Sequence, residues 1–316
     1  MIGPSNRLAP LGACGLALLV GMASLSRSAP AATHFLLVEG LGGERRYAES
    51  FRDQVEEMLA AVRRTSGDEA LVTVLAGTDA TAGRIESAFG ALAEDVNPGD
   101  ALAVFLVGHG SHDGGGYKFN IPGPDISGAQ LKLWLDAVPA ARQLVVSTTS
   151  SSGGALETLK APQRVVITAT KNGREKNATV FGEYFAEAFA ASEADTNKND
   201  SISALEAFRY AESKVKAHYA DHQRLATEHP QLQGERADGF LLARLGKAAA
   251  LAEDPSKRGL LDRREGLERR IADLTARKDE LSQAEFLEEL EALLLEMAAV
   301  QQQIAGEEAG SAEERP

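Results

Sequence analysis

Two segments of the sequence carry a histidine and a serine in positions from which the two side chains could act together. The segment VGHGSHDGGG (residues 107–116) has His109 between two glycines, directly after an apolar run. The segment VVSTTSSSGG (residues 145–154) has three consecutive serines after a second apolar run, and Ser150 is the first of them. A histidine base beside a serine hydroxyl is the arrangement of a nucleophilic hydrolase. We therefore take His109 and Ser150 as a candidate catalytic pair.

The apolar runs that deliver these residues alternate with helical patterns along the chain. The pattern predicts strands at 35–40, 70–77, 101–108, 142–148 and 163–170, and helices at 45–64, 79–95, 128–138, 179–191 and 203–219. It predicts a loop at 224–239 and a last strand or helical turn at 240–246. Such alternation is typical of an α/β fold with parallel strands, in which ligands bind at the carboxyl ends of the strands. His109 and Ser150 both follow strand ends, so we expect them to share one cleft.

The same residues resemble the caspase-like, legumain-type peptidase family, in its bacterial members. HGS at 109–111 is similar to the histidine motif of that family, and SSSG at 150–153 is similar to its Cys-x-Ser-Gly motif with serine in place of the nucleophilic cysteine. The segments YKFNIPGPDISGAQL and RVVITAT extend the resemblance, which covers residues 35 to about 230. It implies a caspase-like, parallel-rich sheet flanked by helices, and a peptide or protein as the substrate or ligand.

Two functions follow from the serine at the cysteine position. In the first, Ser150 attacks a peptide bond, His109 is its base, and the N–H groups of Gly110 and Ser150 form an oxyanion hole. A hydroxyl is a much poorer nucleophile than a thiol, so such a peptidase homologue would be weakly active or inactive. In the second, the chain is a non-catalytic binding or assembly module that uses the same cleft. An α/β-hydrolase elbow is not favoured, because Thr149 stands where its first glycine would be.

A second motif, DTNKNDSISALE (residues 195–206), follows the pattern of a twelve-residue calcium loop. Asp200 stands where that loop normally has glycine. With only two carboxylates among the ligands, we expect a structural Ca²⁺ site with a dissociation constant of about 10⁻⁴–10⁻³ M. The alternative is a helix–loop–helix corner without metal. The predicted ligands are Asp195, Asn197, Asn199, Ser201 through its carbonyl, and Glu206.

Other histidines offer less specific patterns. A metal site made of His109, His112 and Asp113 is an alternative use of the first segment. Without a metal, His112 and Asp113 are interpreted as solvated loop residues or substrate contacts. His218 and His222 lie four residues apart on a predicted helix and are interpreted as surface residues, because the glutamate of a zinc-protease helix is missing. The pair Glu228-His229 resembles a segment of bacterial relatives, and the sequence assigns it no role.

The first 32 residues are predicted to be a cleaved secretory signal, with an apolar run of about fifteen residues before small residues near Ala29 and Ala31. An uncleaved anchor is the alternative. We therefore expect an exported protein, periplasmic or secreted, without a stable membrane anchor. Cys14 is the only cysteine and falls in this segment, so the exported chain would have no thiol or disulfide.

The remaining chain is divided by composition. Residues 33–250 are predicted to form the caspase-like domain, residues 251–305 a Leu- and Glu-rich helical hairpin, and residues 306–316 a disordered tail. The hairpin is interpreted as a structural addition, with homo-oligomer formation as the alternative. The net charge of −13 argues against a nucleic acid as partner.

Overall fold

A sheet of six strands forms the centre of the structure, a computed structural model that describes residues 32–67 and 71–313, with side chains through residue 306. The strands are β1 (Thr33–Glu39), β2 (Val72–Leu75), β3 (Ala101–Val107), β7 (Arg142–Ser147), β8 (Arg164–Thr168) and β10 (Gln231–Gln233). Their order is β10-β8-β7-β3-β1-β2, and all neighbours are parallel except β10, which is antiparallel to β8. The predicted fold class, a parallel-rich α/β sheet, is confirmed.

Helices cover both faces of this sheet because the strands are apolar on both sides. In β1, Phe35 and Leu37 belong to the core on one face, whereas Leu36 and Val38 belong to the core on the other. The first face packs against α1 (Arg45–Ser66), α5 (Phe181–Glu187) and α6 (Ala204–Asp221). The second packs against α2 (Ala82–Asp95), α3 (Gly128–Ala137) and α4 (Leu156–Leu159).

The pairing of β3 with β7 positions the candidate site. The two strands are parallel and in register from Ala101 opposite Arg142 to Leu106 opposite Ser147. The segments that follow them therefore leave the sheet at the same edge, one carrying His109 and the other carrying Ser150.

Short strands occupy segments whose composition indicated loops. The glycine-rich stretch after His109 forms an antiparallel sheet, and a second small sheet pairs the calcium-loop segment with the predicted 240–246 element, which is a strand. The prediction of a continuous loop at 224–239 was wrong, because β10 lies within it. A three-residue edge strand between Pro230 and Gly234 is too short to show a period in the sequence. These strands are β4 (Gly110–Asp113), β5 (Gly116–Phe119), β6 (Ile126–Ser127), β9 (Ser201–Ser203) and β11 (Leu241–Arg244).

Three helices follow the sheet: α7 (Gly246–Ala252), α8 (Pro255–Ala276) and α9 (Gln283–Glu313). Helices α8 and α9 form the predicted hairpin around their own buried cluster, which includes Leu261, Leu267, Leu293 and Met297. Helix α9 extends to Glu313, into the segment 306–316 for which the sequence predicts a disordered tail. The alanines and glutamates there are good helix formers and extend the helix.

The predicted secretory signal lies outside the described residues, apart from residue 32. Among the helices of the described ranges, none has the length and apolar character that crossing a lipid bilayer requires.

Candidate active site

The segments that carry His109 and Ser150 meet at the edge of the sheet. The Ser150 hydroxyl donates a hydrogen bond to the Gly110 carbonyl at 2.9 Å, and the Gly110 N–H approaches the Ser150 Oγ at 3.3 Å. The described residues contain no hydrogen bond between the His109 ring and the Ser150 hydroxyl. The serine proton is therefore directed to a backbone carbonyl and not to a base.

Side chains from α1 hold the His109 ring in one orientation. The rings of Tyr47 and Phe51 meet it edge to face, with centroids 4.9 and 5.0 Å away. Its Nε2 lies 3.2 Å from the carbonyl oxygen of Gly42, in the loop after β1. A carbonyl only accepts hydrogen bonds, so Nε2 carries the proton and Nδ1 is the basic nitrogen.

Partial burial lowers the pKa of His109 below its ordinary value, against the opposing effects of the Gly42 carbonyl and the Glu44 carboxylate. The imidazole is therefore neutral at neutral pH, as a general base must be. The sequence could not show this, because Tyr47 and Gly42 lie more than sixty residues before His109 and are brought to it by the fold.

The turn after β7 is tightly built around the three serines. Ser151 has φ 57°, in the left-handed region, and its N–H donates to the carbonyl of Glu175 at 2.8 Å. The Ser151 hydroxyl is fully buried and has no hydrogen-bond partner in the described part of the chain. Ser152 is paired with Thr170 in the loop after β8. Of the three serines, Ser150 is the one joined to the histidine segment.

A buried cluster of hydroxyl groups, from Tyr117, Ser147 and Thr149, lies at the start of this turn. The Tyr117 hydroxyl lies 2.8 Å from the Thr149 hydroxyl and 3.1 Å from that of Ser147. Complete burial raises the pKa of Tyr117, so its phenol stays protonated and can only share hydrogen bonds. These hydrogen bonds fix the side chain of Thr149, the residue that directly precedes Ser150.

His112 closes one side of the turn, although the sequence predicted a solvated or metal-binding residue there. A Cβ atom placed on Gly154 or on Gly173 would lie 2.5 or 2.3 Å from the His112 ring. The imidazole therefore rests directly on both glycines. The predicted alternative metal set does not assemble: His109 binds Gly42, and Asp113 forms an ion pair with Lys118.

The pair Glu228-His229 has a structural role that the sequence did not reveal. Both carboxylate oxygens of Glu228 accept N–H bonds at the start of α5, from Val180 at 2.8 Å and Phe181 at 3.2 Å. His229 lies 2.6 Å from the Glu175 carboxylate. Because Glu175 also accepts the Ser151 N–H through its carbonyl, this pair secures the loop that supports the turn.

The predicted calcium loop has the backbone that such a loop requires. Asp195 is buried and accepts the N–H groups of Asn199 at 3.2 Å and Asp200 at 2.9 Å. Asp200, at the glycine position, has φ 57°. Glu206 spans the loop by accepting hydrogen bonds from Thr196 and Ser203. The donor set consists of hard oxygens, which fits Ca²⁺.

No group of three or more His, Cys, Asp and Glu side chains arranged to hold a metal is found among the residues that the structure describes.

The second histidine pair, His218 and His222, lies at the carboxyl end of α6. His222 is exposed, as predicted, whereas His218 is half-buried with its Nδ1 3.1 Å from the Tyr184 hydroxyl.

Comparison with known proteins finds likeness at the level of structure. No protein-family model matches the chain, and no curated protein sequence matches it either. Among solved structures, the chain is similar to the crystal structure of protein GSU0716 from Geobacter sulfurreducens, with 12% identity, 67% of this chain and 97% of that chain covered, and a TM-score of 0.41. A likeness at this level does not bear on function.

Proposed function

We propose that this chain is an exported, caspase-like peptidase homologue that recognises peptide bonds in the cleft between the ends of β3 and β7, and that hydrolyses them slowly or not at all. The observation that supports this most strongly is the hydrogen bond from Ser150 Oγ to the Gly110 carbonyl at 2.9 Å. A serine whose proton goes to a carbonyl is not activated, because activation requires transfer of that proton to a base.

The same contact affects the oxyanion hole. The Gly110 N–H, a predicted oxyanion donor, approaches Ser150 Oγ, whereas the Ser150 N–H donates to no acceptor in the described residues. A peptide carbonyl that replaced the serine hydroxyl at Gly110 would receive both N–H groups. In this proposal a bound peptide displaces the Ser150 hydroxyl from Gly110, whereas catalysis also requires a new proton path to Nδ1 of His109.

The decisive experiment compares the wild type with Ser150→Ala, Ser150→Cys and the double variant Ser150→Cys/His109→Ala. We expect the wild type and Ser150→Ala to capture the same peptides from a library and to show no difference in fluorophosphonate labelling. Ser150→Cys should gain peptide hydrolysis, because a thiol is more acidic and more nucleophilic, and the double variant should lose that gain.

Two outcomes would contradict the proposal in different ways. Fluorophosphonate labelling together with hydrolysis as fast as that of Ser150→Cys, both lost in Ser150→Ala, would identify an efficient serine peptidase. A wild type that captures no peptide would leave the non-catalytic assembly module, formed through other surfaces, as the better description.

We also propose a structural calcium ion in the loop 195–206. Two features support it: the left-handed backbone conformation of Asp200, and the hydrogen bonds that the N–H groups of Asn199 and Asp200 donate to the Asp195 carboxylate. The ion would be held by the side chains of Asp195, Asn197, Asn199 and Glu206 and by the carbonyl of Ser201. It would fix the start of α6 against the preceding turn. Isothermal titration with calcium tests this proposal, and a titration without heat at millimolar calcium would refute it.

A further inference from the structure

The carboxyl end of α6 carries two histidines that neither the fold nor the proposed cleft uses. His218 lies in the last turn of the helix, and His222 is its C-cap. Their rings are neighbours, with centroids 4.4 Å apart and ring planes inclined by 31°. His222 is exposed and His218 is half-buried, so solvent reaches the pair. We call it the α6 histidine pair.

Each ring of the pair is anchored through its Nδ1 atom. The Nδ1 of His222 lies 2.7 Å from the carbonyl oxygen of His218. A carbonyl only accepts hydrogen bonds, so this nitrogen carries the proton and the Nε2 of the neutral ring has the lone pair. The Nδ1 of His218 lies 3.1 Å from the Tyr184 hydroxyl. In the part of the chain that the structure describes, neither Nε2 atom has a hydrogen-bond partner.

A histidine that binds a metal has this same arrangement. It binds the metal through one nitrogen and donates the other N–H to an acceptor, which fixes the tautomer and the ring. His222 has such an acceptor in the His218 carbonyl. His218 has one in the Tyr184 hydroxyl, which can accept as well as donate. Because Tyr184 lies on α5, a second helix sets the orientation of the His218 ring.

The position on the helix also favours a cation. Residues four apart on a helix are neighbours on its surface, so the two imidazoles lie on one side of α6. The negative end of a helix dipole is its carboxyl end, and α6 is 18 residues long. The glutamate that the sequence lacks here is the general base of zinc proteases, so its absence excludes only that role.

From these observations we propose that the α6 histidine pair chelates one divalent transition-metal ion of the kind that imidazole prefers, such as Zn²⁺, through its two Nε2 atoms. Calcium fits less well, because it prefers oxygen ligands. No third His, Cys, Asp or Glu ligand joins the pair among the described residues. Water or a second molecule would therefore complete the coordination shell, as in an open zinc site and unlike a closed structural one.

The proposal is separate from the two sites proposed above. The residues of the cleft and those of the 195–206 loop supply none of the nitrogens. A failure of either of those proposals leaves this one unaffected.

The experiment is isothermal titration of Zn²⁺ into the full chain. Calcium at millimolar concentration is present throughout, so that the 195–206 loop contributes no heat. We expect saturable binding of one Zn²⁺ per chain. His222→Gln and His218→Gln should each lose this binding, because one imidazole alone does not form a chelate.

The matched control is His229→Gln, since His229 is also exposed and lies outside the pair. It should bind Zn²⁺ like the wild type. Circular dichroism of each variant verifies that it is folded, and His222→Gln is the safer of the two test variants because His222 is exposed.

Three results would overturn the proposal. The first is the absence of saturable Zn²⁺ binding by the wild type. The second is binding by His222→Gln equal to that of the wild type, which would place the metal elsewhere. The third is an equal loss in His229→Gln and His222→Gln, which would indicate unspecific binding to exposed histidines.

Discussion

Gly153 occupies the point where the turn after β7 touches the loop after β8. A Cβ atom at this position would lie 2.3 Å from backbone atoms of Thr170, Lys171 and Asn172. Backbone cannot move aside as a side-chain end can, so we expect Gly153→Ala to lower the free energy of unfolding by about 1–3 kcal/mol. Chemical denaturation measures the change.

Gly114 provides the matched control for this prediction. It lies in the glycine-rich loop near His109, and a Cβ atom there would meet nothing within 4 Å. Gly114→Ala should leave the unfolding midpoint nearly unchanged. If both variants unfold alike, the close contact of Gly153 with residues 170–172 does not exist in solution.

At the same scale, the sequence predicted which two loops meet but not how their residues are bonded. Spacing after two strands was sufficient to bring the loops of His109 and Ser150 together. The bond of Ser150 to Gly110, and the tautomer that Gly42 imposes on His109, depend on loop backbones far apart in sequence. No local pattern encodes such contacts. The cap that Glu228 provides for α5, across 48 residues to Val180, was missed for the same reason.

At the scale of elements, long periodic segments were predicted well and short ones were not. Each buried strand of the parallel sheet was visible as an apolar run between helical patterns. The strands β4, β5 and β6 were missed, because they are short and rich in glycine or polar residues and owe their pairing to tertiary contacts.

The calcium loop permits a test in which one substitution separates metal binding from helix capping. Glu206 is the predicted bidentate ligand and also completes the capping box of α6 with Ser203. Glutamine can replace glutamate in a capping box but lacks the charge that calcium needs. We therefore expect Glu206→Gln to retain the helical circular dichroism and to lose the heat of calcium binding.

The control for this test is Glu212→Gln, further along α6, where the glutamate pairs with Lys216. It should bind calcium like the wild type. Calcium heat that persists in Glu206→Gln would show that the ion binds elsewhere.

At the scale of the whole molecule, a buried arginine connects the C-terminal hairpin to the small sheet of β9 and β11 and to the end of α1. Arg244 in β11 forms two hydrogen bonds with Glu265 in α8, at 2.9 and 2.8 Å, and one with the carbonyl of Thr65 at the end of α1. Arg244 is 4% exposed and Glu265 is 6% exposed. The hairpin therefore packs on itself and is also fixed to the rest of the fold.

Arg244→Ala should destabilise the protein by about 3–5 kcal/mol, because it leaves the Glu265 carboxylate buried without a counter-charge. The double variant Arg244→Ala/Glu265→Ala should recover part of that loss. Equilibrium unfolding measures both. Arg263→Ala, which breaks an exposed pair with Glu296, is the control and should change stability by less than about 1 kcal/mol. Equal effects of Arg244→Ala and Arg263→Ala would contradict the prediction.

The conformation of Ser151 has a consequence for the cleft as a whole. A left-handed backbone and a buried, unpaired hydroxyl each cost free energy, of order 1–3 kcal/mol, and glycine at this position would avoid both costs. The bend is therefore imposed by its surroundings, among them the Glu175 carbonyl that receives the Ser151 N–H. In the proposed cleft, a turn that is already held in one conformation would lose little entropy when a peptide binds, so the entropic cost of binding would fall mainly on the peptide.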